Sequence, residues 1–423
     1  MHIPADPRPT PIVTASSGDL EARLWRELAV ERWPLRRQDL PAGTALVGGA
    51  VRDALLGRLG ARPDLDLVVA VSAVPLAHEL ARQLGGTCVV LDAVRDMARL
   101  VLAGWTIDLA HQQGPDLVTD LRRRDYSANA LALPLQEGEQ LLDPTGGLEA
   151  LAQGRLVAVS EGNLLADPLR LLRGVRLAWE LDLELDATSV SWIQRHAPRL
   201  AHVAGERVLA ELERLAMSPQ GQEGMAQALS FGLLNPWGAD PTAQEPLANL
   251  TMAAAAERGL NPEETSQLLP LARLATLLPQ SAVRQLRGSR RLQQNCARLR
   301  HWWGQVDAEP GAGLNGLNEA ERLQLQRELE GELPALLLRL PAAEARVGLS
   351  QWRDADDPLY HPRPPLNGDE LTAALGLRAG PELGALLQHL TRERAFGRIA
   401  PAGASQRDQA LLTARRWLDS RRG

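Results

Sequence analysis

The sequence predicts an α+β head, a small mixed sheet backed by helices, followed by an all-α remainder. Three observations predict it. Residues 45–70 read ALVGGAVRDALLGRLGARPDLDLVVA: an apolar run, a glycine pair, a helical segment, and a second apolar run opened by two aspartates. Short β-like runs recur at Cys88–Leu91, Ala98–Leu102 and Trp105–Leu109. From Leu229 onward, Leu/Ala/Arg/Gln runs of helical period (Glu263–Leu278, Val283–Trp303, Asn318–Leu340) alternate with Pro and Gly breaks. A chain of 423 residues exceeds one ordinary core, so about two to four domains are expected. The pattern divides it into a mobile leader (1–18), a head (19–150), a helical neck (151–240), a helical body (241–360) and a helical tail (361–423).

Composition narrows the class. Apolar residues make up 45% of the chain, as in a soluble globular protein. A net charge of −6 argues against a uniformly basic nucleic-acid coat, while leaving room for a local basic groove. All 46 basic residues are arginine, because the chain contains no lysine. Any phosphate must therefore be held by Arg, backbone N–H or hydroxyl groups, and no lysine nucleophile exists. Cys88 and Cys296 lie far apart and form no metal pattern. With no signal peptide and no apolar run of membrane length, the cytoplasm is the expected compartment.

Taken in order, Leu20–Trp33 has the period of an amphipathic helix covering the head. Ala45–Val47 is a short strand that runs into Gly48 and Gly49, and a helix over Val51–Leu59 carries Arg52 and Asp53 in its first turn. The glycines let backbone N–H groups approach a phosphate at a helix start, and Arg52 adds a charge-assisted clamp. Leu65–Ala70 is a second strand with Asp64 and Asp66 at its start. Side chains two apart on a strand share a face, so both carboxylates aim at one point. Paired carboxylates that hold Mg²⁺ against a triphosphate serve phosphoryl or nucleotidyl transfer. Neither the dinucleotide-binding glycine fingerprint nor the Walker pattern is matched.

Val74–Leu84 reads as a helix ended by Gly85-Gly86, and the three short strands follow. Asp108 in the last of them is either a third metal carboxylate or a solvated strand residue. Arg122-Arg123-Arg124-Asp125 then offers guanidinium groups for phosphate and a carboxylate for ribose hydroxyls. Asp143-Pro144-Thr145-Gly146-Gly147 is a structural turn. Asp167-Pro168 before an apolar-periodic run marks a helix N-terminus, with Asp167 as N-cap. On that helix Arg170, Arg173 and Arg176 step back by about 60° each and form a slanted ridge. An Asp acceptor and an Arg fork one turn apart present a planar hydrogen-bonding edge to a nucleobase.

Gly48-Gly49-Ala50-Val51-Arg52-Asp53-Ala54-Leu55-Leu56-Gly57, followed by Asp64-Leu65-Asp66, resembles the GGxVRDxLLG and DxD signature of the class II tRNA nucleotidyltransferase and bacterial poly(A) polymerase family. Arg123–Leu133 is similar to the family's RRDFTxNAxAL, with Tyr126-Ser127-Ala128 for Phe-Thr-Ile. Asp167–Ala178 is similar to EDPLRxxRxxRF, with Ala166 in place of Glu, a residue thought to brace the recognition helix. Ala204–Leu212 and Pro364–Gly397 resemble later family segments, and the likeness thins between about residues 240 and 360. The resemblance implies a polymerase-β-like nucleotidyltransferase head that adds C and/or A to the tRNA 3′ end from CTP and ATP, with Mg²⁺ on Asp64 and Asp66. It implies triphosphate contacts from Gly49, Arg52 and Arg124, a ribose contact from Asp125, a supporting role for Asn129, and further nucleotide-binding positions at Gly48 and Asp53. It further implies base reading by Asp167 and Arg170, with Arg173 and Arg176 lining the triphosphate or tRNA side. Poly(A) polymerases share these motifs, partial enzymes add only CC or only A, and a non-catalytic tRNA binder is the reading from another class. The element that separates full from partial addition is expected between Asp66 and Asp108. No membrane and no obligate protein partner is expected.

Overall fold

The computed structural model describes residues 17–136, 140–308, 311–400 and 402–422, so the leader expected over 1–18 lies outside them except for its last two residues. Those two open a helix, α1 (Ser17–Leu28). The chain divides into two compact units: one runs to Val203 and takes in 231–233, and the other comprises 204–230 and 234–423.

The first unit holds a six-stranded mixed sheet in the order β3-β4-β5-β2-β1-β6. Its strands are β1 (Ala45–Val47), β2 (Leu65–Val69), β3 (Thr87–Asp92), β4 (Met97–Leu102), β5 (Trp105–His111) and β6 (Ala132–Pro134). Only β2 and β5 pair in parallel, with Asp66 opposite Asp108; every other pair in the sheet is antiparallel. The crossover between them contains α3 (Ala73–Leu84), capped at its C-terminus by Gly85 in the left-handed conformation. Strands β1 and β2 are buried almost along their whole length, and Ala45, Val47 and Val68 pack with Leu121, Ala130 and Ala132 beneath the sheet. Helix α2 (Gly49–Leu55) ends four residues before the expected Leu59, since Gly57 takes a positive φ there. Likewise α1 stops at Leu28, where Ala29 turns left-handed before a short 3₁₀ turn. Short helices α4 (Leu117–Leu121), α5 (Gly147–Ala152) and α6 (Glu161–Ala166) follow, then α7 (Leu169–Leu181) and α8 (Ala187–His196). Helix α7 begins one residue later than the expected N1 position: Pro168 already has helical dihedrals, and the Asp167 carboxylate accepts from Leu169 N–H at 3.3 Å.

Among the described residues of the second unit, the regular elements are all helices. Two of the long runs of helical period each divide into two helices. Residues 283–303 fall into Gln280–Gln285 and Arg290–Val306, because Arg287 takes a φ of 55° and Ser289 caps the second helix. Residues 318–340 divide into Glu319–Leu329 and Leu333–Leu337; Pro334 sits where its missing N–H costs nothing, in the first turn of the latter. The Pro262–Leu277 helix opens with an Asn261/Glu264 capping box, as its sequence requires. The tail helices enclose an apolar cluster of their own around Leu371, Leu386, Leu390, Ile399 and Ala414.

Arg273 organises this unit. It is 1% exposed, and its guanidinium donates to the carbonyls of Leu250, Ala216, Ser218 and Pro219 and to Gln222 Oε1, at 2.6–3.2 Å. Every contact is to a neutral acceptor, so the charge is spread over converging carbonyl dipoles. Arg273→Leu leaves the buried carbonyls of Ala216, Ser218 and Leu250 without that donor and is expected to lower the unfolding free energy by about 3 kcal/mol. Denaturant titration followed by far-UV circular dichroism measures the loss.

Candidate active site

Gly48 ends β1 in a backbone conformation (φ 72°, ψ −131°) essentially open only to glycine, and this bend starts α2 at Gly49. A β-carbon added there would lie 3.4 Å from both Arg124 Nη1 and Asp66 Oδ2. The glycine therefore sits between the guanidinium and the carboxylate. On β2, Asp66 lies between Val47 of β1 and Asp108 of β5, while Asp64 stands exposed one residue before the strand. Burial, Asp108 and Asp64 push the Asp66 carboxyl up to about 6, against the lowering pull of Arg124 and Arg52.

Asp108 is not a solvated strand residue. Arg99, its cross-strand neighbour in the β4–β5 hairpin, grips it through Nε–Oδ1 at 2.8 Å and Nη2–Oδ2 at 2.9 Å. The same guanidinium is raised by that bond and by the fields of Asp108, Asp64 and Asp66. Arg99 was not singled out in the sequence. The signal was present: Arg99 and Asp108 are equidistant from the Ala103-Gly104 turn, whose two positive-φ residues make the tight hairpin that fixes this register.

The donor set fits a divalent cation shared with substrate. Among the described residues, no group of three His, Cys, Asp or Glu side chains is arranged to hold an ion alone. Asp66, whose proton affinity is raised by burial and by the neighbouring Asp108 and Asp64, beside a phosphate-competent arginine, suits an ion that keeps part of its shell for triphosphate oxygens.

A hydrogen-bonded chain links the next residues. Arg52 is buried; it donates Nε and Nη2 to Asp53 at 2.8 and 3.0 Å, and Nη1 to Asn129 Oδ1 at 2.5 Å. Asn129 Nδ2 donates to Asp125 Oδ1 at 3.1 Å, and Arg173 Nη1 reaches Asp125 Oδ2 at 3.3 Å. Arg52, Asp53, Asn129, Asp125 and Arg173 thus form one network, with Arg52 bracing the floor of the site. Burial alone pushes the Asp125 carboxyl up, but Arg173, Asn129, the Tyr126 N–H and Arg170 together hold it below the usual range. Arg124 Nη2 bonds Asp120 at 3.2 Å, and its buried Nε has no partner.

On α7 the arginine ridge splits. Arg170 turns towards the Arg122–Arg124 turn, donating Nη1 to the Arg123 carbonyl at 3.0 Å, and burial lowers its proton affinity. Arg173 joins Asp125, whereas Arg176 is buried and pairs with Glu180 one turn on. The structure therefore brings Arg170 and Arg173 to the nucleotide motifs and gives Arg176 an ion pair within α7. Tyr126, fully buried, donates its hydroxyl to the Arg170 carbonyl at 2.9 Å. It passes so close to Gly174 that a β-carbon there would fall 1.8 Å from the oxygen.

Two family models match this chain: the poly A polymerase head domain over residues 44–157, and a probable RNA and SrmB-binding site of polymerase A over 182–237. A CC-adding tRNA nucleotidyltransferase of Synechocystis sp. is 32% identical over 385 residues, covering 85% of this chain and 91% of the relative. The chain belongs to the tRNA nucleotidyltransferase and poly(A) polymerase family. An A-adding tRNA nucleotidyltransferase of Deinococcus radiodurans is also 32% identical, over 90% of this chain and 97% of its own length. Among solved structures, the Thermotoga maritima CCA-adding enzyme complexed with tRNA superposes with a TM-score of 0.67 at 21% identity, covering 96% of this chain and 98% of that one. Members of the family are metal-dependent enzymes. No helix among the described residues is long and apolar enough to cross a membrane.

Asp66, through burial beside Asp108 and Asp64, carries a stability cost. Its folded proton affinity exceeds that of an unfolded aspartate, so its stabilising contribution is complete below about pH 4 and is lost as pH rises through about 6. Asp66→Asn is expected to raise the metal-free unfolding free energy at pH 8 by about 2 kcal/mol, an advantage that disappears by pH 4. Thermal melts across that pH range, run in chelator, check it.

Proposed function

We propose that this chain is a template-independent tRNA nucleotidyltransferase that adds C and/or A to the tRNA 3′ end from CTP and ATP, releasing pyrophosphate, and that its own share is the two cytidines. The carrying observation lies between Asp66 and Asp108. A complete CCA enzyme must change its base preference after two additions with no template, which calls for a segment free to relocate beside the site. Here every connection in that interval is short: 70–72, 85–86, 93–96 and 103–104. The longest turn is pinned, because Asp96 accepts from the N–H groups of Ala73 and Val74 at 2.9 and 2.8 Å and so caps α3. The CC-adding relative from Synechocystis, matched along most of its length, supports the same reading.

In this mechanism Asp64 and Asp66 would hold Mg²⁺ together with the triphosphate, with Asp108, gripped by Arg99, raising Asp66. The ion there would supply acidification of the terminal 3′-OH and offset charge on the departing pyrophosphate. Gly48 and Gly49 present backbone N–H groups at the start of α2, and Arg124 adds the guanidinium. Asp125, held ionised, accepts from the ribose hydroxyls, and Asp167 with Arg170 reads the base edge. The helical unit grips tRNA by shape.

The test supplies purified protein, Mg²⁺ and each NTP singly and together to tRNA transcripts ending at the discriminator base, at C and at CC, and to an unstructured RNA. The expected result is two cytidines on the shortest tRNA and no A on the CC-ending one. Addition of A alone, or of all three nucleotides, overturns the CC assignment. Long A tails on unstructured RNA make it a poly(A) polymerase, and no incorporation anywhere sinks the enzymatic reading. Asp64→Ala should cut incorporation by about a hundredfold or more while tRNA retention on filters stays near wild type.

A further inference from the structure

Asn163, which no motif of the chain singles out, stands at the junction of the phosphate-binding and base-reading parts of the site. Helix α6 starts at Ser160, whose hydroxyl accepts from Asn163 N–H at 3.1 Å. The Asn163 side chain points the other way: Nδ2 donates to the carbonyls of Arg122 at 2.8 Å and Arg124 at 2.7 Å. The Asn163 carbonyl in turn accepts from Arg170 Nη1 at 3.0 Å, the same nitrogen that donates to the Arg123 carbonyl. Three successive carbonyls of the arginine turn, 122, 123 and 124, are thereby held by one amide and one guanidinium.

We propose that Asn163 is a positioning residue for nucleotide binding: it fixes the turn from which Arg124 reaches the triphosphate to the arginine that reads the base. The inference rests on the nucleotide site described above. The N–H groups of Arg122, Arg123 and Arg124 bond back to Val118, Asp120 and Leu121, but the Arg124 side chain is lightly held: its guanidinium makes one bond, to Asp120, and its Nε has no partner. Loss of the Nδ2 donor frees two carbonyls at the base of Arg124 and lets that side chain drift from Gly48 and Asp66. It leaves Asp167, Arg170 and the backbone carbonyl of residue 163 in place. Triphosphate grip should therefore fail before base recognition.

The experiment compares wild type with N163D, which keeps the shape but lacks the donor, and N163Q, which keeps a donor on a longer arm. Equilibrium binding of CTP and of CMP is followed by tryptophan fluorescence, beside steady-state CMP incorporation into tRNA and thermal melts. N163D should weaken CTP binding about tenfold, as expected for two lost hydrogen bonds, while CMP binding changes less than about twofold, and N163Q should recover part of the difference. Equal weakening of CTP and CMP, or a lowered melting temperature with both affinities unchanged, makes Asn163 a purely structural residue and overturns the proposal. If N163D fails to fold, N163Q decides alone: an unchanged CTP-to-CMP affinity ratio overturns the proposal, and a shifted one supports it. Wild-type protein that incorporates nothing refutes the function proposed above, whereas an active wild type with an unperturbed N163D refutes only this inference.

Discussion

Two carboxylates placed opposite each other on adjacent parallel strands repel, and the active half of this protein is built around containing that repulsion. Asp66 and Asp108 are held in register by a buried ladder that the flanking apolar residues of β2 and β5 make rigid. Like charges so placed are destabilising by themselves. Arg99 answers one of them with a bidentate pair, and Arg124 and Arg52 lower the other from across the glycine bend. The compensation is incomplete: Asp66 still holds its proton more tightly than a free aspartate. That residual favours any positive charge brought close to the pair.

An alphabet without lysine shapes how the protein does everything else. Arginine here serves as a bracket for the backbone as well as a counter-ion. Arg273 gathers four carbonyls, Arg170 two, and Arg300 those of Ala275 and Leu278 at the end of the helix Pro262–Leu277. A planar fork with five donors suits such convergent acceptors where a point-like ammonium would not. Side chains that resemble free phosphate ligands in the sequence are in several cases already engaged. Arg52 is the clearest: it lies under the site, tied to Asp53 and Asn129.

Much of the head was legible because its signals are local. A glycine pair between an apolar run and a helix, an alternating Asp-Leu-Asp, and Asp-Pro before a periodic run each report a bend, a face or a start within a few residues. The expected strands and the α+β class follow from them, and the structure agrees to within one or two residues for most elements. The breaks in the helical runs are also local in origin: 283–303 and 318–340 each split beside a glycine, Gly288 and Gly331, with the Ser289 cap and Pro334 starting the next helix.

Sequence order alone determined where the candidate chemistry gathers, since the residue types and spacings at Gly48–Asp66, Arg122–Asp125 and Asp167–Arg173 are those expected of a nucleotide held beside paired carboxylates. Tertiary structure alone decided which of those groups are free and which are spent. Arg52 meets Asn129 from 77 positions away, Tyr126 crosses to the Arg170 carbonyl, and Arg176 leaves the ridge for Glu180. The reason is physical. Periodicity along a segment records which face meets the core, whereas the partner of a long, many-rotamer side chain is whatever acceptor the fold brings within about 3 Å, and no spacing in the chain encodes that distance.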